Sequence, residues 1–439
     1  TPSDVVVTGI AEQGGQVVIS TNYGDLVLGK TSDNTATYTF TLKNTDGEGA
    51  TNKLAEGQQV SLKFEPYVRD EHGAVDGDSA TLRDGTVAGN AIVINILGTN
   101  DVPTITQNAW DGQSGATALS ATLTEASDST DKSSVTGTII GHDVDNGDSL
   151  HYGLVQPGSD TMHSTVYVVL TSEGLTTTTN ASTAATAKNY VGEFTLTENA
   201  DSTKGASYKF TLYNGSPAVQ GMQDGDSMDV SIGLVARDSF GAYVQESVSV
   251  TIKGANDKPT ITTAPTPTLA ALSVEEAGVK NVNGDPNEAF AGTPTDANSG
   301  HSFTVTDVDN KDTQTVSIAV KELPKAAFKD HHDGTYTVTT DEGTFTLKAG
   351  AAVGNDSGSS KTYTYSYELN NDVSATQALH EGEKVNYTFT VTVTDSKGAQ
   401  VDQEINLTIK GTNDQPVLTI NNAAGTVTED ASPNNFGGT

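Results

Sequence analysis

The chain has 439 residues, too many for one hydrophobic core and suited to about three modules of roughly 100–200 residues each. Its 56 acidic and 23 basic residues give a formal charge of −33, which argues against nucleic acid and against an anionic membrane surface, since phosphate binding needs a cationic footprint. There is no cysteine and the eight histidines show no metal-site spacing, so disulfides and thiolate zinc sites are excluded.

The opening Thr-Pro-Ser-Asp has no initiator Met, basic n-region or apolar h-region. No apolar run reaches the ~18–20 residues of a membrane span. The expectation is an internal fragment of a larger secreted protein, with no membrane insertion in this part.

Apolar residues make up 34% of the chain and fall in alternating runs, the mark of half-buried strands. In the first copy Leu62, Phe64 and Val68 alternate, a turn follows at Asp70-Glu-His-Gly73, and Ile92, Ile94 and Ile96 lead into Gly98-Thr-Asn-Asp-Val-Pro103. Its hairpin loop carries extra acids at Asp76, Asp78 and Asp84. The second copy opens on Thr122-Leu-Thr-Glu125 and continues through Asp143-Val-Asp145-Asn-Gly-Asp148 and a Thr/Ala/Ser/Gly-rich stretch at 171–189, expected as a long surface loop or irregular hairpin. The turn Asp224-Gly-Asp226, the strand with Val230, Ile232 and Leu234, and the turn Asp238-Ser-Phe-Gly241 follow. Val248, Val250 and Ile252 then lead to Gly254-Ala-Asn-Asp-Lys-Pro259.

The third copy repeats this order with Leu272-Ser-Val-Glu275-Glu276, Asp307-Val-Asp309-Asn-Lys-Asp312, a second expected loop or irregular hairpin at 349–361, and Glu381-Gly-Glu383. In Lys384–Thr394, Val385, Tyr387, Phe389, Val391 and Val393 share one face and Thr fills much of the other. The turn at Asp395-Ser-Lys-Gly398 and Ile405, Leu407 and Ile409 close on Gly411-Thr-Asn-Asp-Gln-Pro416. The three Gly-x-Asn-Asp-x-Pro segments are 156 and 157 residues apart, which defines a tandem array. The expected units are 1–102, which lacks the opening segment, 103–258, 259–415, and the start of another at 416–439, with Gly425-Thr-Val-Thr-Glu429-Asp430. No stretch has a 3.6-residue apolar stripe, so the expected class is all-β, a sandwich in each unit.

The acids recur in fixed order: a Glu in a short strand, an Asp-x-Asp loop, an acidic turn, a hairpin Asp, and the Asn-Asp pair. Ca²⁺ takes six to eight oxygen ligands, and turns and strand termini at the ends of a sandwich supply them. The Asp143 and Asp307 loops are not EF-hands, because the twelfth positions are Leu154 and Ile318, where a bidentate Glu is required.

This order, with Tyr387-Thr-Phe-Thr-Val-Thr-Val-Thr-Asp395, Asn370-Asn-Asp-Val-Ser-Ala-Thr-Gln-Ala-Leu-His-Glu-Gly-Glu383 and Thr408-Ile-Lys-Gly-Thr-Asn-Asp414, resembles the VCBS repeats. These are cadherin-like extender modules of giant repeats-in-toxin bacterial adhesins. The resemblance implies tandem cadherin- or immunoglobulin-like Greek-key sandwiches, calcium-rigidified, on a bacterial surface, where they project a distal binding domain for adhesion and biofilm formation. It implies calcium ions and neighbouring repeats as partners, in a monomeric chain. It also implies a junction gathering Glu56, Asn100, Asp101, Asp143, Asp145 and Asp238. A second would gather Glu125, Asp224, Asp226, Asn256, Asp257, Asp307, Asp309 and Asp395. A third would begin with Glu275, Glu381, Glu383, Asn413 and Asp414. Animal cadherins carry an additional Asp where Gly98, Gly254 and Gly411 stand, so fewer ions per junction are expected. The units are longer than usual for the family, with insertions near 155–190 and 320–360.

Catalysis lacks a Gly-x-Ser-x-Gly elbow, and His380-Glu381 lacks the second His of a zinc protease. A calcium-dependent lectin or peptide-binding module is the alternative, but tandem near-copies fit a spacer better than a tip. Tyr363, Tyr365 and Tyr367 have the spacing of an aromatic ladder within a sheet, and Trp110 is expected to serve packing.

Overall fold

The computed structural model describes residues 5–30, 35–43, 49–66, 68–69, 71–72, 75–76, 91–112, 119–126, 133–182, 189–263, 271–278, 301–309, 312–355, 358–414, 416 and 425. The acids Asp70, Asp78 and Asp84 and the opening segment at 426–430 lie outside them. The chain divides into two compact units, Thr1–Asn256 and Asp257–Thr439. Among the described residues no helix is long and apolar enough to cross a membrane.

The first unit contains two separate hydrophobic clusters. The smaller lies between an antiparallel sheet of Val7–Gln13, Gln16–Thr21, Gly24–Lys30 and Ala36–Leu42 and a strand pair, Gln59–Phe64 with Ile92–Leu97. Tyr23, Leu54, Val60, Leu62 and Ile96 form it.

The larger cluster fills a Greek-key sandwich. One sheet runs in the order Ser120–Thr124, Tyr243–Lys253, Ser227–Arg237, His151–Val155. Its first strand is parallel to its neighbour and the other pairs are antiparallel. The facing sheet runs Gly174–Thr178, Thr165–Thr171, Tyr190–Glu198, Ala206–Leu212, Ser134–His142, Thr104–Trp110. The alternating residues Val230, Ile232, Leu234, Val248, Val250 and Ile252 are buried against Phe194, Tyr208 and Phe210. Trp110 packs edge-on against Tyr208, 4.7 Å between centroids, and is buried, as a packing residue should be.

The second unit repeats the plan. Leu272–Glu275, Gln400–Lys410, Lys384–Thr394 and Thr315–Val320 form one sheet, again with a parallel first pair. Thr260–Thr263, Ser302–Asp307, Gly358–Leu369, Gly343–Ala349, Thr335–Thr339 and Phe328–Asp330 form the other. Tyr363, Tyr365 and Tyr367 point into the core and meet Phe303, Phe345 and Phe389 respectively rather than solvent.

The stretches expected as surface loops or irregular hairpins contain hairpins. In the first unit Gly174–Thr178 extends the outer edge of a sheet, and in the second Val353–Asn355 pairs with the start of Gly358–Leu369. Thr176, Thr177 and Thr178 make up most of the first of these strands, and their β-branched side chains suit a pleated, half-buried surface. The insertions near 155–190 and 320–360 therefore widen one sheet by strands and leave the ends of the sandwich, where the acids lie, to the common plan.

Candidate metal centre

The strand Ser134–His142 ends in the loop Asp143-Val-Asp145-Asn-Gly147-Asp148, where Gly147 takes a positive φ of 84°. The Asp145 N–H donates to Asp143 Oδ1 at 2.9 Å, so the first carboxylate folds the loop back on itself. Asp148 Oδ1 accepts from the N–H of Ser149 at 2.9 Å, the N–H of Ser239 at 3.3 Å and the Ser239 hydroxyl. The second unit builds the same loop. Asp309 N–H donates to Asp307 Oδ1 at 3.1 Å, and Asp312 Oδ1 accepts from Thr313 N–H at 2.9 Å and Ser396 N–H at 3.1 Å.

Each loop leaves three carboxylate oxygens close together. One oxygen from each of Asp143, Asp145 and Asp148 lies within 4.8 Å of the others, and so it is for Asp307, Asp309 and Asp312. Two oxygens on one Ca²⁺ at about 2.4 Å can be no more than about 4.8 Å apart, so both triplets meet that limit.

The Asn-Asp segment is tied onto this loop. In the first unit Asn100 Nδ2 donates to Asp238 Oδ2 at 2.9 Å, and Asp101 N–H donates to Asp145 Oδ2 at 2.9 Å. Asp257 N–H donates to Asp309 Oδ2 at 2.8 Å in the second. The hairpin acids shape their own turns with the opposite oxygen: Asp238 Oδ1 accepts from Phe240 and Gly241, and Asp395 Oδ1 accepts from Lys397 and Ala399. Gln58 Nε2 donates to Asn146 O at 3.1 Å, and Asn146 N–H donates to Lys53 O at 3.0 Å. Gln58 Oε1, Asn100 Oδ1, Asp143 Oδ2, Asp145 Oδ1 and Asp148 Oδ2 are buried oxygens with no hydrogen-bond donor, as are Asp307 Oδ2 and Asp312 Oδ2.

A buried oxygen without a donor costs about 1–3 kcal/mol, and more when it is charged. Burial is the main cause that raises the Asp143 carboxyl above its usual range, with the charges of Asp145, Asp148 and Asp238 adding to it. Asp145 is raised in the same way, with Asp101, Asp148 and Asp238 adding. Asp307, fully buried, is pushed up to about 6 by burial and by Asp309, Asp312 and Asp395, although the Asp309 N–H works against the shift. Hard oxygen donors that crowd, repel and lack donors fit a divalent cation of the calcium class.

At the other end of each sandwich a buried Glu takes hold of the junction backbone. Glu125 Oε1 accepts from Ala255 N–H at 3.0 Å. Gln220 Nε2 donates to Ala126 O at 3.0 Å, and the Asn214 amide pairs with the Ala126 N–H and C=O, both at 3.2 Å. The second unit has the same clamp on Glu276. Its Oε2 accepts from Thr412 N–H at 3.2 Å, Gln377 Nε2 donates to its Oε1 at 3.2 Å, and Asn371 pairs with Ala277. The residue equivalent to Glu125 is thus Glu276 and not Glu275, which is half-buried on the opposite side of the strand. Successive side chains in a strand alternate faces, and only one of two adjacent acids can meet the junction N–H. Burial raises the Glu276 carboxyl, with Asp414 adding.

The acidic turns behave differently. Glu56, Asp224, Asp226 and Glu381 are exposed, and Glu383 is half-buried with its carboxylate on the His380 N–H of its own turn. These turns dock through main chain: Gln58, Asp226 and Glu383 carbonyls accept from the N–H of Gly98, Gly254 and Gly411 at 2.9, 3.0 and 3.0 Å. A Cβ on those glycines would lie 2.3 Å from Leu54 O, 2.4 Å from Gln223 O and 2.5 Å from His380 O. The junction Gly is therefore set by close backbone approach. Asn256 and Asp414 are half-buried, Asp257 is buried, and Asn413 is exposed.

Asp148, Asp312, Gln58 and Glu276 are members of these clusters that a ligand set chosen from sequence left out. The third Asp was visible in the Asp-x-Asp-x-x-Asp spacing of both copies.

No family model and no curated protein sequence matches the chain. Among solved structures it is similar to cadherin ectodomain fragments. PcdhgB3 EC1-4 is 12% identical with a TM-score of 0.34, over 92% of this chain and 66% of that one. Protocadherin Gamma B2 extracellular cadherin domains 1-5 is 11% identical with a TM-score of 0.33, over 94% and 54%. Mouse cadherin-23 EC22-24 is 12% identical with a TM-score of 0.28, over 92% and 93%. The chain spans about two thirds or less of the first two fragments.

Proposed function

We propose that this chain is a spacer of extracellular β-sandwich repeats, calcium-stiffened, of the kind that extends large bacterial surface adhesins. The repeats are 103–258 and 259–415, preceded by a shorter 1–102 and followed by the opening of another. The observation that carries this reading is the triplet of buried Asp145 with half-buried Asp143 and Asp148, with the linker residues Asn100 and Asp101 hydrogen-bonded onto its loop and hairpin.

Asp143, Asp145, Asp148 and Asp238 would hold the cation with Asn100 and Gln58. Asp307, Asp309, Asp312 and Asp395 would do so in the second unit. A bound Ca²⁺ supplies positive charge where the chain concentrates negative charge. Two carboxylates 4 Å apart repel by about 1 kcal/mol in water and about 4 kcal/mol at an effective dielectric near 20. Without a cation that repulsion pushes the loop off Asp101 and frees the linker. A site with a hundredfold excess of ion over its dissociation constant gains about 2.7 kcal/mol. Extracellular modules bind at about 10⁻⁴–10⁻³ M, so the linker would be locked outside a cell and loose inside one.

Small-angle scattering in EDTA and in millimolar CaCl₂, alongside calcium titration calorimetry, tests this. A longer maximum dimension and saturable binding with calcium are expected. An unchanged scattering curve and no binding heat would remove the proposal.

A further inference from the structure

An asparagine followed by glycine loses its side-chain amide more readily than other asparagines, because no Cβ on the glycine hinders attack of its main-chain nitrogen on the asparagine Cγ. The chain has three such steps, Asn146-Gly147, Asn214-Gly215 and Asn283-Gly284, of which the last lies outside the described residues. The first stands inside the loop that carries Asp143, Asp145 and Asp148. At the same place the second unit has Asn310-Lys311.

The two described steps stand in opposite surroundings. Asn214 is 1% exposed, and its amide is locked against the N–H and C=O of Ala126, both at 3.2 Å. Asn146 is half-buried and Gly147 exposed. Among the described residues neither the Asn146 side chain nor the Gly147 N–H has a hydrogen-bond partner. A Cβ built on Gly147 would meet nothing within 4 Å, so the attack is open on that side. What resists is main chain: Asn146 N–H donates to Lys53 O at 3.0 Å, and Gln58 Nε2 donates to Asn146 O at 3.1 Å. For Gly147 N to meet Cγ, Asn146 must turn about its Cα–C bond, which carries its carbonyl away from Gln58. One hydrogen bond from a flexible side chain is therefore the gate.

We propose that Asn146 is a site of spontaneous deamidation, gated by Gln58, and that its isoaspartyl product undoes the first acidic loop. The Gly147 main-chain nitrogen forms a bond to Asn146 Cγ, the Cγ–Nδ2 bond breaks, and ammonia leaves with the Gly147 proton. Water then opens the succinimide at either carbonyl, giving aspartate or isoaspartate at position 146. The isoaspartyl link adds one bond of about 1.5 Å to the main chain between Asp145 and Gly147. Either product adds a negative charge to a loop that already holds three carboxylate oxygens within 4.8 Å of one another. The longer main chain and the added charge pull Asp145 Oδ2 off the Asp101 N–H, now 2.9 Å away. The reaction needs only water and does not depend on the calcium reading. Lys311, with its side chain beside the attacking nitrogen, spares the other loop.

The test holds the full chain in EDTA at mildly alkaline pH and follows each asparagine by peptide mass spectrometry, which reads the exchange of NH₂ for OH. Deamidation at 146 is expected about tenfold or more faster than at 214 and 310, since an amide locked in a buried pair reacts only after local opening. Gln58→Ala should speed the reaction at 146 severalfold and leave 214 unchanged. A rate at 146 no higher than at 214 and 310, or no response to Gln58→Ala, would overturn the inference. A parallel rise at 214 would also overturn the gate, because it would report general loosening. The isoaspartyl form, separated by ion exchange, then tests the consequence through amide hydrogen exchange. Exchange at the Asp101 N–H should rise about tenfold or more, while the Asp257 N–H, bonded to Asp309 in the same molecule, keeps its rate. Unchanged protection of Asp101 would show that the loop tolerates the product and remove that half of the proposal.

Discussion

The carboxylates of the Asp-x-Asp-x-x-Asp loops carry opposite requirements with and without a cation. Asp307 has a folded value of about 6 against an ordinary value of 3.8, so the folded state binds this proton more tightly than the unfolded chain does. The contribution of Asp307 to metal-free stability is then fully present below about pH 4, is lost as pH rises toward about 6, and changes no further above that. In EDTA, Asp307→Asn should abolish this part of the slope and leave the second unit more stable than wild type at pH 7. Urea midpoints across that range check it, and parallel profiles for the two proteins would show the burial effect to be absent. The exposure of the acidic turns gives a second expectation. Asp148→Asn should weaken calcium binding about tenfold or more, since affinity follows ligand charge, while Asp224→Asn should leave it nearly unchanged. Calorimetry at fixed ionic strength separates them.

Among the elements, the junction segment is held by backbone approach as much as by side chains. Gly411→Ala would force a Cβ to within 2.5 Å of His380 O and press on Leu379, an overpacking expected to cost about 1–3 kcal/mol. It should also move the turn at Glu381 and strain the Thr412 contact to Glu276. Chemical denaturation of the full chain with and without calcium measures both effects. In the larger sandwich, the Tyr208 hydroxyl donates to Asn108 Oδ1 at 2.9 Å between two buried side chains. Tyr208→Phe leaves that oxygen without its donor and is expected to cost about 1–3 kcal/mol, read as a lower urea midpoint with an unchanged slope. The strand alternation that builds these sheets was legible residue by residue, because one buried face imposes period two. The strands inside the insertions were legible only as one of two alternatives, loop or hairpin, since Thr-, Ala-, Ser- and Gly-rich segments serve both until a neighbouring edge selects the strand.

For the whole molecule, a formal charge of −33 means that screening and specific binding should separate. Raising NaCl from about 50 to about 500 mM shortens the Debye length severalfold and should raise the metal-free melting temperature modestly. Millimolar calcium at constant ionic strength should raise it further, because ligands chelate where salt only screens. If salt alone reproduced the calcium effect, the acids would be a solvated surface and the site reading would fail. From sequence alone the chain determined its repeat length, its all-β class, its lack of disulfides and the order of its acidic features. Each follows from local periodicity or composition, which needs no knowledge of neighbours. Tertiary structure decided which acids come together. It buried Asp145, Asp307 and Glu276, left Asp224 and Glu381 exposed, brought Asp148 beside Asp143 and Asp145, and gave the junction glycine a steric reason. Those outcomes depend on which strand face and which distant carbonyl a residue meets, and residues such as Asp101 and Asp145, 44 positions apart, are brought together only by folding.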